Sequence, residues 1–291
     1  MHPVVVVGDV ATDVVAVLDG VPAPGSDRPA SIRSRGGGAG ANVAVHLARL
    51  GVPVVLAGCV GDDPAGAGLV AELTAAGVRL RVRTVPGSPT GTIVSLVEPD
   101  GQRSMLADRG ANLDLRPDDV PAPARGGHVH LSGYTLLDPG SRPAGIAALA
   151  AAADAGATVS VDPASAGPLA RHGVDRWLAD TAGATVLLPN ADEARLLTGC
   201  PDAERAARAL AARHRIVAVS LGADGALWVS GDVVVHRPAH PTVVVDTTGA
   251  GDAFAAGLLA AWLTRPSVDP ADALDAGLAQ AADVVRRPGA R

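Results

Sequence analysis

Hydrophobic and polar positions fall into two kinds of pattern along this chain. Short aliphatic runs without polar alternation recur at Val4–Val7, Val54–Gly58, Val129–Leu131, Thr158–Asp162, Thr185–Pro189 and Ile216–Ser220. Such runs, rich in β-branched residues and bounded by turn residues, predict strands buried on both faces. Between them lie segments with apolar residues at helical spacing: Ala41–Leu50, Ala65–Ala76, Arg142–Ala155, Val174–Asp180, Ala191–Thr198 and Ala203–Arg213. Strands alternating with helices of this length predict βαβ units, hence an α/β fold with a mostly parallel sheet. Ligands of such sheets bind beyond the carboxyl ends of the strands.

Two stretches break the alternation. Asp13–Leu18 and Pro29–Ser34 flank a Pro/Gly-rich turn at Val21–Gly25; Thr92–Glu98 and Gln102–Leu106 flank Pro99-Asp100-Gly101. The second is a hairpin signal, since Pro fixes one turn dihedral and Gly supplies a positive φ. Four short strands with no helix between them predict a small separate sheet, over about residues 13–34 and 91–108, projecting from the main one.

Composition then narrows the chemistry. All 24 basic residues are Arg, and there is no Lys. That excludes a Walker-A P-loop, whose Lys contacts the β/γ-phosphates. It excludes pyridoxal-phosphate catalysis, which needs a Schiff-base Lys, and the protein kinases, which need a Lys on their third strand. Charge must be handled by Arg, backbone N–H groups, helix dipoles or metal ions. The formal net charge is −6 with no basic cluster, and Trp, Tyr and Phe total five. Nucleic acid and anionic membrane are therefore poor partners. Cys59 and Cys200 lack metal-ligand spacing and read as reduced thiols of a cytoplasmic protein. The segment Met1-His2-Pro3 carries no signal-peptide pattern, and the apolar runs are too short to span a membrane.

Two glycine clusters carry the chemical signal. Asp246-Thr247-Thr248-Gly249-Ala250-Gly251-Asp252 follows an expected strand at Val243–Val245 and opens an apolar helix reaching Leu263. A glycine-rich turn at a helix N-terminus presents unpaired N–H groups and a favourable dipole to an anion. A carboxylate there repels an anion, so Asp252 has a reason to be present if it takes a proton from an alcohol as a phosphoryl group is transferred. Helix capping alone accounts for an Asp, but not for the small residues before it. The other cluster, Gly36-Gly37-Gly38-Ala39-Gly40-Ala41-Asn42, opens the helix ending near Leu50.

Together the two segments resemble the signatures of the ribokinase-like (PfkB-type) carbohydrate kinase family. Gly37-Gly38-Ala39-Gly40-Ala41-Asn42 matches its N-terminal signature, with Gly51 and Gly61 at later positions, and Asp246 to Asp252 matches its C-terminal one. Asn190-Ala191-Asp192-Glu193 and Ser220-Leu221-Gly222-Ala223-Asp224-Gly225 match two weaker elements in the right order. The match runs over almost the whole chain, so 1–291 reads as one domain. The resemblance implies a ribokinase-like three-layer αβα fold whose small sheet is a lid. It also implies ATP-dependent phosphorylation of a hydroxyl on a small sugar or related polyol. Asp252 matches the catalytic base, and Gly249, Ala250 and Gly251 match the anion hole. Asp13, Gly38 and Asn42 match sugar contacts. Ser220, Gly222 and Gly225 match the nucleotide loop. Asn190 and Glu193 match the pair that organises Mg²⁺ through water. Asp246 and Thr248 fall where some relatives bind an activating K⁺, with a partner loop near Arg287 and Gly289. The lid is also where relatives form homodimers.

Departures bear on the substrate. Ala39 stands where ribokinases and some phosphosugar kinases of the family carry Lys, which weakens both a strict ribokinase and a sugar-phosphate assignment, and an acidic group on the acceptor must be met by Arg. Arg103 and Arg109, on or after the second hairpin, are candidates, and an inward Arg favours a sugar acid of the 2-keto-3-deoxygluconate type. Tyr134 could floor the pocket and stack on a base, which keeps a nucleoside kinase open as an alternative. His128 and His130 share one strand face, and two His alone do not make a zinc site.

Overall fold

The computed structural model describes residues 1–20, 25, 27–98, 103–265 and 267–291, with only the backbone of Arg103. The Pro99-Asp100-Gly101 turn, and all of the 21–25 turn except Gly25, lie outside the described residues. The chain begins with β1 (Val4–Val7), β2 (Ala11–Leu18), β3 (Ala30–Gly37), α1 (Ala39–Arg49), β4 (Val54–Gly61), α2 (Pro64–Ala75), β5 (Arg79–Val85), β6 (Gly91–Val97) and β7 (Arg103–Asp108). It continues with β8 (His128–Ser132), α3 (Tyr134–Leu137), α4 (Arg142–Asp154), β9 (Thr158–Asp162), α5 (Ala166–His172), α6 (Val174–Asp180), β10 (Val186–Leu187), α7 (Ala191–Thr198) and α8 (Ala203–Ala211). It ends with β11 (Ile216–Ser220), β12 (Ala226–Ser230), β13 (Val233–Arg237), α9 (Ala250–Thr264) and α10 (Pro270–Val284).

Nine strands form the main sheet in the order β13-β12-β11-β10-β9-β8-β1-β4-β5. All pairs are parallel except the hairpin β11-β12-β13 at one edge. The uninterrupted apolar strands are explained by burial on both faces. Val4 and Val6 of β1 enter the core beneath α1, α9 and α10, while Val5 and Val7 enter the core beneath α4, α7 and α8. This is a three-layer αβα arrangement. Helix α9 is apolar all round because it is wedged between α1 and α10, with Ala253–Ala261 buried.

The four strands without intervening helices form a second sheet in the order β3-β2-β6-β7. Its root is fastened by side chains that replace missing backbone partners. Asp63 caps α2 by accepting from the Gly66 N–H (2.8 Å) and also accepts from the N–H (2.7 Å) and hydroxyl (2.6 Å) of Thr90, just before β6. Asn112 accepts from the Val10 N–H and donates to the Val10 and Arg109 carbonyls, each at 2.9 Å.

One expected element is corrected. Val243–Val245 is not a strand: it pairs with no described strand, and its valines are 78%, 58% and 55% exposed. Its composition is strand-like, but its Val245 N–H, like that of Asp246, donates to the single Val285 carbonyl at the end of α10 and not to a neighbouring strand. The edge strand β5 and helix α10 lie outside the patterns read above. The Asp269-Pro270 start of α10, an N-cap followed by Pro, is a start signal visible in the sequence.

Candidate active site

Five strand ends converge on one side of the main sheet. Asp9 follows β1, Tyr134 follows β8, Asp162 ends β9, Asn190 follows β10 and Ser220 ends β11. A short parallel bridge ties Asn190 to Ser220. Two cavities open there. The first, about 780 Å³, lies between the strand ends and the small sheet, which contributes Ile93, Met105 and Ala107 to its wall. Arg109 lines it and forks onto Asp9, with Nε and Nη2 each 2.8 Å from a carboxylate oxygen, while Nη1 reaches Ser141 Oγ at 3.2 Å. Arg109 thus enters the cavity as a neutralised pair. Gly38 and Ala39, at the start of α1, line the inner end. Gly38 has φ +91°, and a Cβ there would fall 2.4 Å from the Asp9 carbonyl oxygen, so the turn admits only glycine.

Asp13 and Asn42 sit beside that inner end. Asp13 is buried, in space left by Gly37, whose Cβ would fall 2.2 Å from the Asp13 Cγ. Lost hydration raises its carboxyl to about 6, against the lowering effect of Arg291. Asp13 Oδ1 and Asn42 Oδ1 are buried with no hydrogen-bond partner. Asn42 Nδ2 donates to Asp252 Oδ2 at 2.8 Å, joining α1 to the first turn of α9. Burial raises Asp252 to about 8, and Asp162 nearby adds to the rise.

The second cavity, about 520 Å³, runs along the other side of the α9 N-terminus. Ser220, Gly222, Gly225, Ala250 and Gly251 line it, with Phe254 and Leu278 behind. Gly249 caps α9 at φ +76° and packs on Ala290, where a Cβ would fall 2.5 Å from the Ala290 Cβ. The Ala250 N–H donates to the Thr247 carbonyl (3.2 Å), so it is not the free donor expected of all three small residues. Gly251 faces open space, with nothing within 4 Å of the position a Cβ would take.

Asn190 and Glu193 are joined in a capping box. The Glu193 N–H donates to Asn190 Oδ1 and the Asn190 N–H donates to Glu193 Oε2, both at 2.9 Å. Glu193 is buried, and both it and Asp162 are pushed above the usual carboxylate range by lost hydration, with Asp162 adding to the rise at Glu193. Asp162 thus disfavours the charge of both Glu193 and Asp252. Among the described residues no group of three His, Cys, Asp or Glu could hold a metal ion directly.

Residues 288–291 thread through this region. Arg35 donates to the Pro288 carbonyl (2.5 Å), the Gly289 N–H donates to Asp246 Oδ2 (2.9 Å), and His46 Nε2 meets the Ala290 carbonyl (3.0 Å). Arg291 Nε donates to the Gly36 carbonyl (3.2 Å) and lies 3.3 Å from Glu72. Asp246 also accepts from the Thr248 N–H at 2.8 Å. Its two oxygens therefore serve as a buckle between the glycine loop and residue 289.

The profile of the pfkB family carbohydrate kinases matches residues 1–291. The chain belongs to the pfkB family of carbohydrate kinases. An ATP-dependent ribose-1-phosphate kinase of Halopiger xanaduensis is 38% identical, over 98% of this chain and 92% of its own. Among solved structures, adenosine kinase from Sinorhizobium meliloti superposes with a TM-score of 0.89 at 27% identity, covering 100% of this chain and 95% of its own. Aminoimidazole riboside kinase from Salmonella enterica, complexed with aminoimidazole riboside and an ATP analog, gives 0.83 at 29% identity, covering 99% and 95%. The fold is thus ribokinase-like, and the pfkB-family assignment makes the protein a phosphotransferase with an alcohol acceptor.

In this pfkB-family kinase Gly38 of the sequence-expected residues lines the first cavity and Ser220, Gly222, Gly225, Ala250 and Gly251 line the second, while Asn42 and Asp252 meet each other and Asn190 and Glu193 meet in their capping box. Tyr134 lines the first cavity. His128 and His130 do not reach it. They bond to the Ser160 hydroxyl at 2.8 and 2.9 Å, and His128 stacks edge-on against Trp262 in the core. Burial holds them down to about 3 and about 4, so both are neutral core residues. Sequence reasoning passed over Asp162, Asp9 and Arg291. The first two were legible as acids at strand ends; Arg291 was not, because its neighbours Gly36 and Glu72 are remote in sequence. Among the described residues no helix is long and apolar enough to cross a membrane.

Proposed function

We propose that the protein transfers the γ-phosphoryl group of ATP to a hydroxyl of a small sugar, with the sugar in the larger cavity, the nucleotide in the smaller, and Asp252 as general base at the seam. The observation that carries this is the Asn42–Asp252 hydrogen bond of 2.8 Å, which ties α1, whose start lines the larger cavity, to α9, whose start lines the smaller. Asn42 orients the carboxylate, which takes the hydroxyl proton as the oxygen attacks in line. The orphaned oxygens of Asp13 and Asn42 offer two buried acceptors to sugar hydroxyls. Gly249 and Gly251 form the anion hole, with Ala250 held in the same turn by its N–H bond to the Thr247 carbonyl. Gly251 gives the phosphoryl group its closest approach, and the α9 dipole favours its charge.

The residues present fit Mg²⁺. Asp162 disfavours the charge of both Glu193 and Asp252, which a nearby cation would relieve, and Asn190 and Glu193 would hold the divalent ion through water. When bound, the ion supplies positive charge that offsets the phosphates and favours ionised carboxylates. Asp246, buckled to Thr248 and Gly289, fixes the loop that would border a monovalent cation such as K⁺. The small sheet closes over the sugar and excludes water, which competes as acceptor. Its exposed Val17, Ile32, Met105 and Leu106 supply apolar surface for a homodimer.

A panel of neutral sugars, sugar acids and nucleosides, assayed by ADP release, tests the reading. ATP-dependent turnover of a sugar supports it, and no turnover with any acceptor that binds overturns it. A second reading, a nucleoside kinase, is favoured by Tyr134 in a cavity of this size. Preferential turnover of a nucleoside selects it.

A further inference from the structure

The acceptor cavity has an uneven charge layout that the proposed chemistry does not use. Its inner wall is neutralised, because Asp9 and Arg109 form a two-bond fork. Its outer wall, at the junction of α5 and α6, presents Arg171, His172 and Arg176. Neither Arg171 nor Arg176 makes an ion pair or side-chain hydrogen bond with a described residue. Elsewhere Arg83, Arg142 and Arg237 hold Asp119, Asp180 and Asp275 at 2.6–2.8 Å. Between the two cavity arginines, His172 Nε2 is buried with no partner. The cavity also has two further carboxylates, Asp108 and Asp138, and each uses one oxygen to fix its own turn, at Gly110 (3.0 Å) and Gly140 (2.9 Å).

We propose that the acceptor is a sugar bearing a phosphate ester, whose oxyanion is received by Arg171 and Arg176. Guanidinium groups match oxyanions in planar, charge-assisted hydrogen bonds. Two unpaired arginines match the two charges of a phosphate ester, whereas a carboxylate uses one. With Ala39 offering no cation at the inner end, an anionic group is oriented away from Asp252, and the reacting hydroxyl is presented to it. This rests on the reading of the cavity as the acceptor site of a sugar kinase.

The test compares a neutral pentose, pentose phosphates and an aldonic acid as acceptors, in the wild type and in Arg171→Ala, Arg176→Ala and the double variant. Both arginines are exposed, so truncation spares the core. The wild type is expected to prefer a pentose phosphate, by kcat/KM, over the neutral pentose. In the double variant this preference falls about 10- to 100-fold, as expected for loss of charged hydrogen bonds, mainly through KM. Arg→Lys variants recover part of it. Equal kcat/KM for neutral and phosphorylated pentose in the wild type overturns the subsite while leaving the kinase reading intact. A preference for the aldonic acid overturns phosphate in favour of carboxylate. An undiminished phosphate preference in the folded double variant, checked by its Tm, overturns the role of these two arginines.

Discussion

The two cavities differ in how they are built. The larger has many charged and hydrogen-bonding side chains in its wall, among them Asp9, Arg109, Asp138 and Arg171. The smaller is walled by glycine, alanine, valine and threonine, and among its described lining residues His240 alone is titratable. A sugar is told from its isomers by where its hydroxyls point, which demands fixed side-chain partners. A nucleoside triphosphate is held by shape, backbone N–H groups and a helix dipole, so small side chains serve better than polar ones. Removing a side chain should therefore damage the first region, and adding one should damage the second.

Asp252, at the seam, should give the largest effect. Asp252→Asn is expected to lower kcat at least about 10²-fold, the lower end for general-base catalysis, while ATP and sugar still bind in calorimetry. Near-normal turnover removes Asp252 from its role and breaks the division between the two regions. The same residue predicts two pH responses. The base must be ionised, so kcat/KM should rise with pH up to about 8 and then level. Its folded-state pKa lies above the unfolded value, so the native state holds the extra proton between about 4 and 8. Stability of the unliganded protein should therefore fall as pH rises through that window. In Asp252→Asn that part of the fall should vanish, which melting curves at pH 5 and 8 can read.

Two glycine substitutions sharpen the contrast in the second region. Gly251→Ala enters open space, so the fold should be unharmed or gain up to about 1 kcal/mol as a helix residue. The added methyl occupies the phosphate approach, and KM for ATP should rise about 10-fold, the lower range for overpacking a close contact. Gly249→Ala should instead cost about 1–3 kcal/mol in denaturant melts, through its positive φ and the contact with Ala290. Equal outcomes for the two would show that the loop has no open side.

Arg291→Ala should give the smallest change, and in the first region. The guanidinium lowers Asp13 against the effect of burial. Without it the Asp13 carboxyl should titrate higher, so KM for the acceptor should rise on the acid side, by up to about tenfold per pH unit of displacement. An unchanged KM–pH profile separates Arg291 from the acceptor site.

Much of this was legible along the chain. The apolar runs marked the parallel strands because a strand buried on both faces tolerates no polar alternation. The helix at 191–198 was marked by apolar residues at helical spacing, and the capping box that starts it is a local device. Val243–Val245 misled because β-branched composition speaks for a strand only where a neighbour completes the ladder, and here none does. Glu193 could be read as a solvated first-turn acid, yet it is buried beside Asp162, which lies 31 positions earlier in sequence.

The sequence by itself determined the fold class, the positions of the glycine turns, and the absence of Lys that leaves anions to Arg and backbone. These follow from local sterics, periodicity and residue chemistry, which need no distant partner. Tertiary structure alone decided that Arg109 is spent on Asp9 while Arg171 and Arg176 are left unpaired at the cavity wall. It alone threaded residues 288–291 between the small sheet and the glycine loop, and it raised Asp252 by burying it near Asp162. Hydration loss and charge–charge contact depend on what packs together in space, and for these residues that neighbour lies far away along the chain.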